Sequence, residues 1–358
     1  MKIAIYHPNL HFMGGGETVC LTIASELQSK HDVTIFSTKK TNRKQMELFF
    51  DLNLKKIQFK TFGKLITQMP FLNSFKQSLY LKSLMPKLDK FDVVIDTCSN
   101  GLFYKQLKSK TICYVHFPNY TKRKKGIKSL LNFLLIKEQK MFTYDKILCN
   151  SKFTTKQVQK LTDNKIEVLY PPVQIEKIKQ KKKKNVICSI GRFSPEKKFE
   201  PLIDAFIRGQ FKDFELHLIG AYREEADKEY YAKLKQLAKG HKIIFHKNIN
   251  HDKVLRFLET TKIYWHARGF GEIDPVEYEN FGITTVEAMA AGCIPIVIKL
   301  GAQPEIIKDG VNGYTWETIE ELIEKTKNVI KTKSSKMKNT ANKYSVMSFL
   351  DGIKKELK

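Results

Sequence analysis

Residues 1–37, MKIAIYHPNLHFMGGGETVCLTIASELQSKHDVTIFS, decide the fold class. Lys2 to Tyr6 is a short apolar run, Gly14-Gly15-Gly16 a glycine cluster, Glu17 to Lys30 a helical pattern, and Asp32 to Ser37 returns to strand character. Strand, glycine turn, helix and strand in that order open a doubly wound α/β domain, whose turn lies at the carboxyl edge of the sheet beside the ligand crevice. The glycines are not spaced as in the dinucleotide fingerprint, which disfavours a nicotinamide cofactor. Strands rich in Ile, Val, Cys and Tyr, the composition of buried parallel strands, follow at Asp92 to Asp96, Thr111 to His116, Asp145 to Asn150 and Ile166 to Tyr170.

Pro171-Pro172 stops this pattern, and the lysine-rich stretch from Glu176 to Asn185 reads as a surface linker. A second cycle then begins, with strands at Asn185 to Ile190, Phe214 to Ile219, Lys242 to Phe245, Ile263 to His266 and Cys293 to Ile298. Helices at Glu196 to Arg208, Glu224 to Lys239 and Asp252 to Thr260 alternate with them. The chain of 358 residues therefore divides into a domain at 1–172 and another at 173–339, with a helix over about 340–358 that returns to the first.

Six cysteines, far apart and mostly within apolar runs, read as reduced core residues rather than zinc ligands or disulfides. No apolar run approaches the ~20 residues of a spanning helix, and Met-Lys-Ile-Ala-Ile-Tyr enters a strand without a signal segment, so a cytoplasmic protein is expected. The net charge of +26 draws in anions of any kind, from nucleic acid to lipid headgroups and phosphorylated substrates. Lysine dominates that charge, and no nucleic-acid-binding motif accompanies it, so nucleic acid is disfavoured as a partner. Lysine on solvated faces with no partner at all is the alternative.

The chemistry concentrates in Glu279-Asn280-Phe281-Gly282-Ile283-Thr284-Thr285-Val286-Glu287-Ala288-Met289-Ala290-Ala291-Gly292. Ile283, Val286, Met289 and Ala290 form a helical stripe, Gly282 lets the chain turn into the helix, and Gly292 is placed as its C-terminal cap. Glu279 then lies in the entering loop and Glu287 about one turn inside. The backbone from Phe281 to Thr285 lies at a helix start, whose N–H groups and dipole suit a phosphate or sugar oxygen. The competing reading is a capping box, Thr284-x-x-Glu287, in which the glutamate returns to the cap's own N–H. Past the strand ending at Ile190, Arg192 and Lys197 stand five apart at a carboxyl edge, where a fixed pair of cations neutralises a diphosphate. A plain helix start at Ser194-Pro195-Glu196 is the alternative there.

Taken together, Gly191-Arg192-x4-Lys197, Glu279-x-Phe281-Gly282-x4-Glu287 and Gly301-x-Gln303-Pro304-Glu305 resemble the retaining glycosyltransferases of family 4 over nearly the whole chain. Tyr170-Pro171-Pro172-Val173 and Gly14-Gly15-Gly16-Glu17 resemble that family's hinge and glycine loop. The resemblance implies the GT-B architecture: two Rossmann-like, doubly wound parallel-sheet domains facing across a cleft. The first would bind the acceptor and the second a nucleotide-diphosphate sugar.

By position, Arg192 and Lys197 would take the diphosphate, Glu287 the ribose hydroxyls and Glu279 the hydroxyls of the transferred sugar. The backbone of Phe281, Gly282, Ile283 and Thr284 would serve sugar and phosphate oxygens. Similar members carry a histidine at the position of His116 that contacts the donor sugar. Gly15 and Gly16 would allow close backbone approach to the donor, or simply make a tight turn. Asn150-Ser151 reads as a helix cap. No covalent nucleophile, metal or cofactor is expected, the leaving phosphate itself taking the acceptor's proton. Residues Arg268 to Tyr278, Asn280 and Ala302 depart from the family pattern, so the donor is drawn only from the hinge and the similarity to lipid-linked oligosaccharide mannosyltransferases: mannose from GDP-mannose.

Between residues 120 and 150, eight basic residues, among them Lys122, Arg123, Lys124, Lys125 and Lys128, face two acidic ones. Ile127, Leu130, Leu131, Leu134 and Leu135 make an apolar stripe beside them, and Phe62 to Leu88 mixes apolar residues and lysines in a similar way. Such segments suit an anionic membrane interface and a lipid-linked or glycan acceptor, with the protein peripheral at the inner face of the plasma membrane or an endomembrane. Ordinary amphipathic helices packed on the domain are the alternative. The competing functions are another GT-B enzyme, such as a nucleotide-sugar 2-epimerase or phosphorylase, and a non-enzymatic basic protein that binds membrane or nucleic acid.

Overall fold

The structure is a computed structural model describing residues 1–12, 14–61, 84–99, 107–118, 143–222, 225–330 and 340–357. It divides into two compact units, Met1–Pro172 with Phe349–Lys358, and Val173–Ser348. Lys122, Arg123, Lys124, Lys125, Lys128 and the apolar stripe beside them lie outside the described residues. Of Phe62 to Leu88 only the last five residues are described, and Leu84, Met85 and Leu88 among them are buried in the core of the first unit.

The first unit is a seven-stranded parallel sheet of β1 (Lys2–Tyr6), β2 (Asp32–Ser37), β3 (Gln58–Thr61), β4 (Val93–Asp96), β5 (Lys110–Val115), β6 (Lys146–Cys149) and β7 (Ile166–Val168). Its spatial order is β3-β2-β1-β4-β5-β6-β7. Ile3 registers with both Val33 and Val93, so β1 is an interior strand next to the central β4, buried on both faces. Helix α1 (Gly15–Leu27) follows β1, α2 (Arg43–Phe50) follows β2, and α3 (Lys152–Val158) follows β6. Ser151 caps α3, its hydroxyl oxygen accepting from the Thr154 N–H at 3.0 Å.

The second unit repeats the plan with β8 (Lys184–Ile190), β9 (Glu215–Gly220), β10 (Ile243–Lys247), β11 (Thr261–His266), β12 (Ile294–Ile298) and β13 (Tyr314–Trp316), in the order β10-β9-β8-β11-β12-β13. Helices α4 (Phe199–Gly209), α5 (Glu225–Leu237), α6 (His251–Thr260), α7 (Ile283–Ala290), α8 (Gln303–Ile306) and α9 (Ile319–Val329) complete it. The fold is therefore two Rossmann-like parallel-sheet units in series. Its core joins Ile187, Leu216, Ile263, Trp265 and Ile296 of the sheet to Leu202, Phe206 and Leu322 of the helices.

Two local expectations change, and the tail helix returns to the first unit as expected. The helix expected over Glu196 to Arg208 is a single turn at Pro195–Lys197 followed by α4, because Lys198 takes a left-handed conformation, φ 53°, between them. The lysine stretch after the prolines is docked rather than free. Ile175 and Ile178 are buried, and the Lys183 ammonium donates to the carbonyls of Ala291 at 2.6 Å and Glu259 at 3.1 Å. At the tail, helix α10 (Val346–Leu357) counts with the first unit from Phe349 onward. There Phe349 packs edge-on against Tyr114 and Lys354 pairs with Glu26 at 2.7 Å. All six cysteines are free thiols, five of them buried.

Candidate functional site

In the second sheet the strand order reverses between β8 and β11, whose connections leave in opposite directions and open a crevice at their carboxyl ends. Lys197, from the turn after β8, and His266, the last residue of β11, meet there on one carboxylate. Glu279 Oε2 accepts from Lys197 Nζ at 3.0 Å and from His266 Nε2 at 3.2 Å, while its Oε1 stands 3.5 Å from the Arg268 guanidinium. The Glu279 side chain is only 14% exposed. Burial alone would push its pKa up, but Lys197, His266 and Arg268 outweigh it and hold the carboxyl well below the usual range. A carboxylate so held is ionised, and a weak base and nucleophile. Because it can only accept, the shared proton of His266 sits on Nε2, leaving the buried Nδ1 without a hydrogen-bond partner among the described residues.

The loop carrying Glu279 is fixed through its backbone. The Ala302 N–H donates to the Glu279 carbonyl at 2.9 Å, and Gly301, at φ 62°, passes so close that a Cβ there would lie 2.4 Å from that oxygen. Three residues on, Gly282 is the N-cap of α7 at φ 107°, and a Cβ on it would lie 2.3 Å from Gln303 Nε2. Gln303, fully buried, donates to the Phe281 carbonyl at 3.2 Å and accepts from the Thr285 hydroxyl at 3.0 Å. Phe281 turns its ring inward onto Tyr344, so only its backbone is left for a ligand. The amides of Ile283 and Thr284 form the first turn of α7, where no carbonyl within the helix can reach them.

The Thr284-x-x-Glu287 capping box is not formed, because Gly282 takes the cap position and puts Thr284 inside the helix. Its hydroxyl bonds the Tyr264 hydroxyl at 2.8 Å, and Glu287, buried, pairs through Oε1 with His251 Nε2 at 2.8 Å. His251 is the first residue of α6 and 44% exposed, and its hydrogen bond to Glu287 raises its pKa. Arg192 is not brought to Glu279. Its guanidinium reaches back to Glu196 at 2.6 Å, with the side chain 41% exposed.

In the first unit the order reverses between β1 and β4, and a second polar cluster forms at their ends. His7 stands 2.8 Å through Nδ1 from the Thr97 hydroxyl and 3.1 Å through Nε2 from Glu17 Oε1. Glu17 Oε2 accepts from the Gly14 N–H at 2.6 Å. Burial pushes the Glu17 carboxyl up, but its bonds to His7 and to backbone N–H groups bring it below its ordinary value. Gly15 and Gly16 are not a loop ahead of the helix but its first two residues, with Gly14 as N-cap. A Cβ on Gly16 would lie 3.4 Å from His116 Nε2. Burial lowers His116 to about 4, so it is neutral at physiological pH, and its Nε2 has no hydrogen-bond partner among the described residues.

His7, Thr97, His251, His266 and Arg268 carry no role in the sequence reading. The signal that finds them is positional: four of the five end a strand or follow one closely at the carboxyl edge of a sheet, and His251 opens the helix after β10.

Two Rossmann-like units in series, each with a polar cluster at its switch point, are the plan of a glycosyltransferase of the GT-B type. The family described as Glycosyltransferase Family 4 matches residues 13–177, and Glycosyl transferases group 1 matches residues 172–345; the chain belongs to these glycosyltransferases. It is similar to the GDP-Man:Man(3)GlcNAc(2)-PP-Dol alpha-1,2-mannosyltransferase of Dictyostelium discoideum, 24% identical over 90% of this chain and 76% of that one. It is also similar to the alpha-1,3/1,6-mannosyltransferase alg2 of Schizosaccharomyces pombe, 25% identical over 88% of this chain and 70% of that one. Among solved structures, Anabaena Alr3699/HepE, crystallised with UDP and glucose, shares the fold at a TM-score of 0.74, with 16% identity, covering 100% of this chain and 99% of that one. A glycosyltransferase from Rickettsia africae does so at 0.71 and 18% identity, covering 100% and 98%.

Proposed function

We propose that the chain transfers a hexose, mannose from GDP-mannose, with retention of anomeric configuration, to a lipid-linked or glycan acceptor at the cytoplasmic face of a membrane. The observation that carries this reading is the Lys197–Glu279 contact of 3.0 Å at the β8/β11 switch point, with Arg268 and His266 on the same carboxylate. A nucleotide-diphosphate sugar needs cations on its diphosphate and acceptors for its hydroxyls side by side, and this cluster supplies both. Lys197 takes the diphosphate, with Arg192 turning from Glu196 to join it. As the sugar–oxygen bond breaks, negative charge grows on the leaving phosphate, and Lys197, already held in the cluster, stabilises it with little reorganisation. Glu279 accepts from hydroxyls of the transferred sugar, the first-turn amides of α7 meet its oxygens, and Glu287 accepts from the ribose.

Retention is supported by the state of Glu279. A buried carboxylate stabilised by three cationic or proton-bearing neighbours is a poor nucleophile, so the leaving phosphate is assigned the acceptor's proton on the same face of the sugar. His116, neutral and with an unpartnered Nε2, is assigned a sugar hydroxyl. Mannose and a lipid-linked acceptor are supported by the names of the two mannosyltransferases above, and the peripheral location by the net charge of +26. Thermal shift with a panel of nucleotide sugars tests the donor, since a ligand bound only by the native state raises its stability. GDP-mannose should raise the melting temperature most, and Lys197→Ala should abolish the shift. A panel without effect on the native chain contradicts the reading.

A further inference from the structure

Helix α2, between β2 and the edge strand β3, turns Met46 and Phe50 into the core and leaves Leu48 and Phe49 exposed on its outer face. Leu48 on that face is 87% exposed and Phe49 beside it 48%. Lys44, one turn before Leu48, is exposed, as are Lys55, Lys56 and Lys60 on the segment that runs from the helix into β3. The scaffold under these residues is tied by hydrogen bonds. Asn42 caps α2, its side-chain oxygen accepting from the Gln45 N–H at 3.3 Å. Arg43 donates to the carbonyls of Lys55 at 3.3 Å and Ile57 at 2.7 Å, and lies over the Phe59 ring. The segment carries two carboxylates, Glu47, which accepts from the Leu54 N–H at 2.9 Å, and the exposed Asp51, against Arg43 and four exposed lysines.

We propose that this face docks on an acidic lipid bilayer, with Leu48 and Phe49 entering the boundary between headgroups and acyl chains and the four lysines lying among the headgroups. Two exposed apolar side chains on a helix that carries exposed Lys44 and runs into a lysine-rich segment fit a surface that is anionic outside and apolar beneath. A second copy of the same face would bring lysine against lysine. The inference rests on the membrane part of the proposed function and is independent of the donor site.

The test is co-sedimentation of the full chain with vesicles of phosphatidylcholine alone or mixed with phosphatidylglycerol. Binding should require phosphatidylglycerol and weaken with salt. Lys44→Gln/Lys55→Gln/Lys56→Gln should lower the partition coefficient by about 100-fold, each lysine near the surface contributing about fivefold. Leu48→Ser/Phe49→Ser should lower it by about tenfold or more. A control, Lys212→Gln/Lys239→Gln/Lys327→Gln, removes the same charge from the second unit and should bind nearly as the native chain does.

Equal loss in the control, native binding by the Leu48/Phe49 variant, or a change in oligomeric state by light scattering on altering that pair would overturn the proposal. GDP-mannose thermal shift on the same variants is the reference for the donor reading. It should be unchanged in all of them, so loss of vesicle binding with an intact shift separates this surface from the donor site. Failure of the donor reading would instead remove the shift from the native chain.

Discussion

Replacing Lys197 with alanine separates what the lysine does for catalysis from what it does for stability. Its ammonium lies 3.0 Å from Glu279, with the two side chains 21% and 14% exposed. Breaking a buried pair costs roughly 3–5 kcal/mol when it strands a lone charge. Here His266 and Arg268 stay on the carboxylate, and the amine keeps some contact with water, so about 1–2 kcal/mol is expected. Loss of one pre-placed group that stabilises developing charge lowers turnover by ~10²–10³, roughly 3–4 kcal/mol. Activity should therefore fall by more than stability does.

The pH dependence follows from Glu279, whose folded pKa lies well below its ordinary value against the push of burial, with Lys197 the first of the cations responsible. A depressed carboxyl contributes stability above its unfolded pKa and loses it as pH falls through the folded one. The stability gap between native chain and variant should be full at neutral pH and close below about pH 4. Urea unfolding across that range and initial rates of donor-dependent transfer measure the two quantities. Undiminished transfer by a folded Lys197→Ala variant would refute the reasoning, as would a stability gap that persists in acid.

Gly16→Ala puts a methyl 3.4 Å from His116 Nε2, an ordinary contact, and alanine suits a helix better than glycine; the melting temperature should hold or rise while transfer falls, and unchanged transfer would count against a role for His116. His251 is held above its ordinary pKa by Glu287, so its contribution is full below about pH 6.5 and lost as pH rises through the raised value. With that imidazole 44% exposed, His251→Ala should cost about 0.5–1 kcal/mol at the acid end of the window and almost nothing in alkali, measured as urea midpoints. Gly282→Ala forces alanine to φ 107° with its Cβ 2.3 Å from Gln303 Nε2, and should destabilise the chain by about 1–3 kcal/mol on the same assay.

The long buried strands were legible because parallel strands covered on both faces read as apolar runs. β3 and β13 were not: Gln58–Thr61 alternates weakly at an exposed edge, and Tyr314–Trp316 is too short to carry a pattern. At the candidate site, residue types and the strand-end rule pointed to Lys197 and Glu279, which lie 82 positions apart and meet in space. They treated Arg192 as an equal partner, whereas Glu196, four residues on, takes its guanidinium. The Thr284-x-x-Glu287 spacing suggested a cap because a pattern cannot show that the backbone at Gly282 begins the helix two residues earlier. His266 was illegible for a related reason, since a histidine at the end of an apolar run looks like any buried ring until its neighbour across the fold is known, and the half-exposed His251 at a helix start reads as ordinary surface.

The most direct test of the donor site is a ligand-bound structure of the chain with GDP-mannose. The account predicts the diphosphate at the β8/β11 switch point within hydrogen-bond reach, about 3 Å, of Lys197 Nζ, with sugar hydroxyls on Glu279 and ribose hydroxyls on Glu287. A diphosphate bound elsewhere, with the Lys197–Glu279 contact undisturbed and no ligand atom touching it, would contradict the account.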